Sequence, residues 1–194
     1  MSRADHIPST QQIKDELNRV KYRSRYSRVL RSTVYTLITV AAIAILVATL
    51  WLPVLQIYGS SMQPTLSEGD IVLSVKGSNF APGEIIAFYY NNKILVKRVI
   101  GSSEDWIDID KDGNVYVNNQ LLDEPYLVEK AFGNCDIDLP YQVPEGRVFV
   151  IGDNRAVSLD SRNTDIGCIS EEQIVGKLTF TIWPLKDFGD VYNR

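Results

Sequence analysis

The sequence TVYTLITVAAIAILVATLWLPVL, residues 33–55, decides the general organisation of this 194-residue chain. No Asp, Glu, Lys or Arg occurs between Thr33 and Ser67. About 20 apolar residues are enough to cross the core of a bilayer as a helix, whereas the apolar core of a cleaved signal peptide is shorter. We therefore predict an uncleaved transmembrane signal-anchor helix over residues 32–55, with the lipid bilayer as a partner.

The two sides of the apolar run differ in charge. Residues 1–31 hold eight Lys/Arg against three Asp/Glu, a net charge of +5, and such positive segments stay on the cytoplasmic side of a membrane. Residues 56–194 carry a net charge of −9, which argues against nucleic acid as a partner because phosphate binding needs positive charge. We predict a single-pass protein of the cell membrane, with a basic cytoplasmic tail over residues 1–31 and an extracytoplasmic domain over residues 56–194.

The extracytoplasmic part changes to short alternating strands separated by Gly, Pro, Asn and Asp. The pattern predicts a mostly β domain, either a distorted antiparallel β-barrel or a coiled sheet, with a short helix near Glu171–Ile174. The predicted strands are Asp70–Val75, Ile85–Tyr90, Ile94–Ile100, Trp106–Asp110, Val115–Val117, Arg147–Ile151 and Val175–Trp183.

Two patterns raise the question of metals and disulfides. Residues 108–113 match the opening of an EF-hand calcium loop, but the last ligand position falls on Asn119 and the flanks look like strands, which favours a hairpin turn. Cys135 and Cys168 lack the spacing of a zinc site. They either form a disulfide or are two free thiols, since the sequence does not give their separation in space. We predict no metal and no cofactor.

The segment Gly59-Ser60-Ser61-Met62-Gln63-Pro64-Thr65-Leu66 is a candidate nucleophile turn. Gly59 permits a backbone conformation that other residues avoid, and Pro64 restricts both itself and the residue before it, so Ser61 could be held on a rigid bend. An ordinary turn leading into a strand would explain the same residues. The only histidine is His6, in the predicted tail, so Ser61 needs a base other than histidine.

Lys97 is a candidate for that base. Burial disfavours a charged amine, so a lysine drawn into the apolar strand Ile94–Ile100 can become neutral and accept a proton. An exposed lysine on a two-faced strand is the alternative. A third block, Gly152–Arg162, is dense in polar residues, although a loop held by Asp and Asn hydrogen bonds and an Asp–Arg pair would also explain it.

Taken together, these blocks closely resemble the successive motifs of the type I signal peptidases, membrane-anchored serine proteases of the Ser-Lys dyad class. The resemblance implies a hydrolase that processes secretory preproteins, cleaving signal peptides after small residues at positions −1 and −3 through an acyl-enzyme. The matching blocks are Ser-Met-x-Pro-Thr-Leu (Ser61–Leu66), Gly-Asp-Ile-Val (Gly69–Val72), Lys-Arg-Val-Ile-Gly (Lys97–Gly101) and Gly-Asp-Asn-Arg-x-x-Ser-x-Asp-Ser-Arg (Gly152–Arg162).

The resemblance also implies roles for individual residues. Ser61 matches the nucleophile and Lys97 the general base, and Ser158 matches the hydroxyl that hydrogen-bonds to the lysine amine and orients it. Four further residues match a supporting loop that includes an Asp160–Arg162 ion pair: Asp153, Arg155, Asp160 and Arg162.

For substrate binding, the resemblance implies shallow apolar pockets and an extended peptide added as a strand. The matching pocket residues are Ile57, Met62, Leu66 and Val96. The backbone N–H of Ser61 matches an oxyanion donor. Gly59 stands where one branch of the family has a serine, so the chain is similar to the Gram-positive type and the second oxyanion donor is open. Residues 102–105 also depart from the Pro-Gly-Asp that commonly follows Gly101 in the family.

Two other classes of function fit parts of the sequence. A self-cleaving regulator of the same dyad class would need an N-terminal DNA-binding domain, where this chain has its apolar run. A non-catalytic, membrane-anchored β module that binds precursors or cell-wall partners would not need both Ser61 and Lys97.

Overall fold

The computed structural model describes residues 10–77 and 79–192, so His6 lies outside the described residues. The chain divides into two units, residues 1–48 and 49–194. The first contains most of helix α1, Thr10–Trp51. By length and composition this helix could cross a membrane, and the apolar part of it is not buried against other residues of the structure.

Helix α1 runs without interruption from the basic segment into the apolar run. Within the apolar run, Thr33, Thr36 and Thr39 each donate a side-chain hydrogen bond to the carbonyl oxygen four residues earlier, so these hydroxyls need no water. The helix ends at Trp51 rather than at the predicted Leu55, because Pro53 disfavours helical backbone at Leu52.

The described residues of the second unit form twelve strands. All seven predicted strands are present, and the predicted helix near Glu171 is a single 3-10 turn, Glu171–Gln173. The strands that the sequence did not predict are two or three residues long. The strands are β1 Val54–Gln56, β2 Ile71–Val75, β3 Ile85–Tyr90, β4 Lys93–Gly101, β5 Trp106–Ile109, β6 Val115–Val117, β7 Gln120–Leu121, β8 Tyr141–Gln142, β9 Arg147–Ile151, β10 Ile169–Ser170, β11 Ile174–Trp183 and β12 Gly189–Asp190.

The strands form two antiparallel sheets. The larger has the order β1-β2-β11-β3-β4-β9-β10, with β12 paired to β11, and the smaller has the order β7-β6-β5-β8. Neither sheet closes on itself in the described part of the chain. The predicted mostly β, antiparallel domain is therefore confirmed, in the form of open sheets rather than a barrel.

Strand β4 has one edge that is only partly used. Its residues Lys93–Arg98 pair with β3, while on the opposite edge only Arg98–Gly101 pair with β9. No strand among the described residues covers the second edge of Lys93–Lys97. The backbone groups on such an edge can pair with another extended peptide.

A cluster of buried apolar side chains lies around the segment that follows β1. Ile57, Met62 and Leu66 are 4%, 2% and 0% exposed and pack with residues of β2, β3 and β11. This packing fixes the chain on both sides of Ser61, because buried side chains of this size are held by many van der Waals contacts.

Residues 108–113 form the predicted hairpin, between β5 and β6. The carboxylate of Asp110 accepts hydrogen bonds from the backbone N–H groups of Asp112 and Asn114 and from the Asn114 side chain. Cys135 and Cys168 are both free thiols, so of the two alternatives left by the sequence the structure has the second.

Candidate active site

Ser61 and Lys97 meet in the structure. Ser61 lies on the turn after β1 and Lys97 lies in β4, and Lys97 Nζ donates a hydrogen bond to Ser61 Oγ at 2.7 Å. Lys97 is only 3% exposed, so the alternative of an exposed lysine on a two-faced strand is wrong. A hydroxyl and an amine at this distance can exchange a proton.

The turn that carries Ser61 is fixed by its own backbone. The N–H of Gln63 donates to the carbonyl oxygen of Ser60, and the N–H of Leu66 donates to that of Met62. Gly59 has φ = 81°, a conformation that favours glycine because it has no Cβ. The side chain of Ser61 is half-buried, so its oxygen is accessible from one side.

Burial changes the acidity of Lys97. It lowers the pKa of the Lys97 amine from 10.5 to about 8, because the charged form loses its hydration. The carboxylates of Asp160 and Asp153 act in the opposite direction, and the guanidinium of Arg162 adds to the lowering. A substantial fraction of the amine is therefore neutral near pH 8 and able to accept a proton from Ser61.

The loop 152–162 lies directly against the Ser61 turn. The N–H of Asn154 donates to the carbonyl oxygen of Ser61 at 3.0 Å. A Cβ at Gly152 would lie 2.2 Å from Ser158 Oγ and 2.5 Å from the carbonyl oxygen of Ser61. Only glycine permits this approach, which brings the loop and the turn into contact.

Ser158 is close to Ser61, but its predicted hydrogen bond to the lysine amine is not formed in the structure. Ser158 Oγ is buried and has no hydrogen-bond partner among the described residues. Lys97 Nζ points its hydrogen bond at Ser61 Oγ instead. A buried hydroxyl without a partner costs free energy. If the lysine amine moved toward Ser158, the hydroxyl oxygen could accept a hydrogen bond from it and this cost would be removed. Its role in orienting the lysine stays a prediction.

The predicted Asp160–Arg162 ion pair is present and buried. Arg162 Nε lies 2.8 Å from Asp160 Oδ1 and Nη2 lies 2.9 Å from Oδ2, a two-point contact of the kind that fixes both groups. Arg162 also donates to the carbonyl oxygens of Phe132 and Arg155. Arg162 thereby connects the loop 152–162 with the segment around Phe132, which comes earlier in the chain.

Asp153 is paired with Arg98, a residue that sequence reasoning did not assign to the site. Arg98 Nε and Nη2 lie 2.8 and 2.6 Å from the two oxygens of Asp153, and the hydroxyl of Thr65 donates to the same carboxylate. The sequence did hold a signal for this pair: Arg98 stands next to Lys97 in an apolar strand, and an arginine that is buried there needs a partner of opposite charge.

Arg155 is paired with Glu124, which lies outside all four motif blocks. Arg155 Nη1 lies 3.3 Å from Glu124 Oε2, and Nη2 contacts Oε1. The side chains of Arg155 and Glu124 are 1% and 0% exposed. No local feature of the sequence connects these two positions.

A groove of about 610 Å³ begins at Ser61 and Lys97. One wall is formed by residues 55–59 and 61–62, and the other by residues 92–97, which include the uncovered edge of β4. Three of the predicted pocket residues, Ile57, Met62 and Val96, line this groove. Leu66 does not, because its side chain points into the apolar core and is fully buried.

Besides its hydroxyl, which contacts the Lys97 amine, Ser61 offers its backbone N–H to a ligand. The backbone N–H of Ser61 has no acceptor among the described residues, so it can bind a developing negative charge. At both free cysteines, burial favours the neutral thiol. Burial raises the pKa of the Cys168 thiol to about 11 and also raises the pKa of Cys135, and the thiol is much less nucleophilic than the thiolate.

Comparison with known proteins gives matches along most of the chain. The family model described as "Signal peptidase, peptidase S26" matches residues 30–183. Signal peptidase IB of Staphylococcus aureus (strain N315) is 38% identical over 157 residues, which cover 71% of this chain and 81% of the relative. Thylakoidal processing peptidase 1, chloroplastic, of Arabidopsis thaliana is 34% identical over 148 residues, covering 68% of this chain and 42% of the relative.

Among solved structures, a signal peptidase I from Enterococcus faecalis V583 is similar to part of this chain. It is 29% identical and has a TM-score of 0.46, and the match covers 52% of this chain and 97% of that one.

Proposed function

This chain belongs to the type I signal peptidases, peptidase family S26, and we propose that it is a membrane-bound serine endopeptidase in which Ser61 is the nucleophile and Lys97 the general base. The family is one of peptidases that process preproteins bearing signal peptides. The observation that carries the proposed serine mechanism is the 2.7 Å contact between Lys97 Nζ and Ser61 Oγ inside a buried site.

The proposed reaction has two halves. Neutral Lys97 Nζ takes the proton of Ser61 Oγ as that oxygen attacks the carbonyl carbon of the scissile bond, and the oxyanion binds the Ser61 N–H. The protonated amine then gives its proton to the leaving nitrogen, which releases the mature protein and leaves an acyl-enzyme. Lys97 next deprotonates a water that attacks the ester, and the signal peptide leaves as Ser61 Oγ recovers the proton.

The groove supports binding of an extended substrate. A peptide lying between residues 55–59 and 92–97 could pair with the uncovered edge of Lys93–Lys97, which supplies affinity through backbone hydrogen bonds. Ile57, Met62 and Val96 would then form the shallow apolar pockets. Pockets of this kind favour small residues, and we propose that they select the residues at −1 and −3.

Helix α1 supports the proposed location. We propose that it spans the membrane once, with the basic residues 1–31 in the cytoplasm and residues 56–194 on the other side. Relatives of the signal peptidase I type are membrane-associated proteins, and this position would bring the site close to signal peptides that emerge from the bilayer. We assign no cofactor to the reaction and no nucleic acid as a partner.

Mass spectrometry of a secretory precursor tests the proposal. The full chain in detergent should cut the precursor after a small-x-small sequence, whereas Ser61→Ala and Lys97→Met should not. Ser60→Ala and Lys76→Met are matched controls, since both side chains are exposed and Ser60→Ala keeps the backbone of the turn, and both should cut normally. Cleavage by Ser61→Ala at the wild-type rate would refute Ser61 as the nucleophile, and no cleavage by any folded protein would favour a binding module.

A further inference from the structure

We propose that Tyr126 and Glu124 are positioning residues for the proposed Ser61–Lys97 site, although both lie outside the four motif blocks. They belong to the segment between β7 and β8, two strands of the smaller sheet. The inference rests on the proposed function. It assigns to this segment the task of holding the Arg98–Asp153 pair in place beside Lys97.

The ring of Tyr126 covers one face of the Arg98 guanidinium. Arg98 Cζ lies 3.8 Å from the centre of the ring, a distance at which the cation and the π system attract each other. The edges of the same guanidinium are occupied by the carboxylate of Asp153 and by the carbonyl oxygen of Gly83 at 2.8 Å. Arg98 therefore has its orientation set from the face as well as from the edges.

Glu124 fixes the position of Tyr126. The Tyr126 hydroxyl donates to Glu124 Oε1 at 2.8 Å, and the same carboxylate is bound by Arg155. Arg155 Nε in turn donates to the carbonyl oxygen of Gly152 at 3.2 Å. The contacts thus form a continuous chain from Gly152, beside Ser61, through the tyrosine to Arg98.

The other end of the chain of contacts returns to the Ser61 turn. Arg98 holds Asp153, and Asp153 accepts the hydroxyl of Thr65, which lies on that turn. The Ser61 turn is therefore held on two sides, at Ser61 by the N–H of Asn154 and at Thr65 by the carboxylate of Asp153. Glu124 and Tyr126 connect Arg155, in the same loop, with Arg98, the partner of Asp153. Such a network resists displacement of either side because buried charges must keep their partners.

The ring of Tyr126 also keeps solvent away from the guanidinium of Arg98. Tyr126, Arg98, Thr65 and Tyr192 line a second groove, of about 730 Å³, so removing the ring would expose Arg98 to solvent. The charged groups that act on Lys97 are Asp160, Asp153 and Arg162. If Arg98 loosens, the charge of Asp153 is less neutralised and water enters, and both changes favour the protonated form of Lys97.

The test compares Tyr126→Ala with Tyr126→Phe in the full chain in detergent. Tyr126→Ala should lower kcat at pH 7 about tenfold with little change in KM, since an upward shift of about one pH unit in the midpoint of the rate profile reduces the neutral amine by that factor. The rate should recover toward the wild-type value at the highest pH. Tyr126→Phe keeps the ring over Arg98, so its midpoint should not move and its kcat should fall less than about threefold.

Tyr116→Ala is the matched control, because Tyr116 lies in β6 of the smaller sheet and its hydroxyl contacts Asp110. It should lower the melting temperature without moving the midpoint. If Tyr126→Ala does not fold, Tyr126→Leu replaces it, with apolar cover but no aromatic face, and should show an upward shift that is smaller, because it still limits the entry of water.

An unchanged midpoint and kcat in Tyr126→Ala or Tyr126→Leu would overturn the positioning role. An equal shift in Tyr126→Phe would overturn the part of it that rests on the ring over Arg98, because the effect would then belong to the hydrogen bond with Glu124. These outcomes are distinct from failure of the proposed function. If the proposed function were wrong, cleavage would not depend on Ser61, or the wild-type cleavage rate would not rise with pH.

Discussion

Replacing Lys97 by methionine should stabilise the fold while it abolishes cleavage. The side chain is 3% exposed, and burial lowers its pKa from 10.5 to about 8. Each pKa unit corresponds to about 1.4 kcal/mol, so holding the charged amine in this site at pH 7 costs about 3 kcal/mol. Methionine has a similar length and carries no charge, and the free energy of unfolding at pH 7 should therefore rise by up to about 3 kcal/mol.

The gain should depend on pH in a defined direction. Because the pKa of Lys97 is lower in the folded state, Lys97 binds more protons in the unfolded chain between pH 8 and 10.5, and its contribution to the stability of the wild type rises with pH over that interval. Lys97→Met has no such titration. Its advantage over the wild type should be largest below pH 8, shrink above it, and vanish above about pH 10.5.

Urea unfolding of the full chain in detergent, followed by tryptophan fluorescence at pH 7 and pH 10, measures this difference. Other groups that titrate in this interval are common to both proteins and cancel. Lys76→Met, at an exposed lysine, should change stability by less than about 0.5 kcal/mol at either pH. A stability difference that is the same at pH 7 and pH 10 would refute the conclusion that Lys97 is buried with a lowered pKa.

Three further predictions concern the same site. The wild-type kcat/KM should rise about tenfold from pH 7 to pH 9, as the neutral fraction of an amine with a pKa of about 8 does, and a rate that is flat between pH 6 and pH 10 would exclude Lys97 as the base. Gly152→Ala should lower the stability by about 1–3 kcal/mol and also the turnover, because its Cβ would meet Ser158 and Ser61; a wild-type melting temperature and rate would show that the loop can shift. Ser158→Ala should reduce kcat and leave the melting temperature within a few degrees of the wild type, since the Ser158 hydroxyl has no partner among the described residues; wild-type turnover would remove Ser158 from the site.

The longer elements could be predicted from the sequence because their signals are local. Strand β3 is apolar over all six residues and β9 over Val148–Ile151, and both end at turn residues. The strands of two or three residues are too short to show a period, and only their pairing in the sheet defines them. The end of helix α1 was predicted too late because the apolar composition continues past Pro53, although the helical backbone does not.

The site was predictable only in part. Ser61, Lys97 and the Asp160–Arg162 pair were inferred from the motif resemblance, and the structure places these groups together. Glu124 and Tyr126 were missed because a buried ion pair or a stacked ring between distant segments leaves no periodic signal. Leu66 was assigned to the pocket because it lies near Ser61 in sequence, but the turn directs its side chain into the core.

The uncovered edge of β4 also affects how the protein behaves when no substrate is present. An open strand edge that accepts a peptide can equally accept the same edge of a second copy, which is how edge-to-edge aggregation begins. Ile94, 41% exposed, lies on this part of the strand. Lys93 stands at its start, and a charge in that position opposes pairing between identical edges. Colloidal stability and access to the groove therefore depend on the same short stretch of backbone.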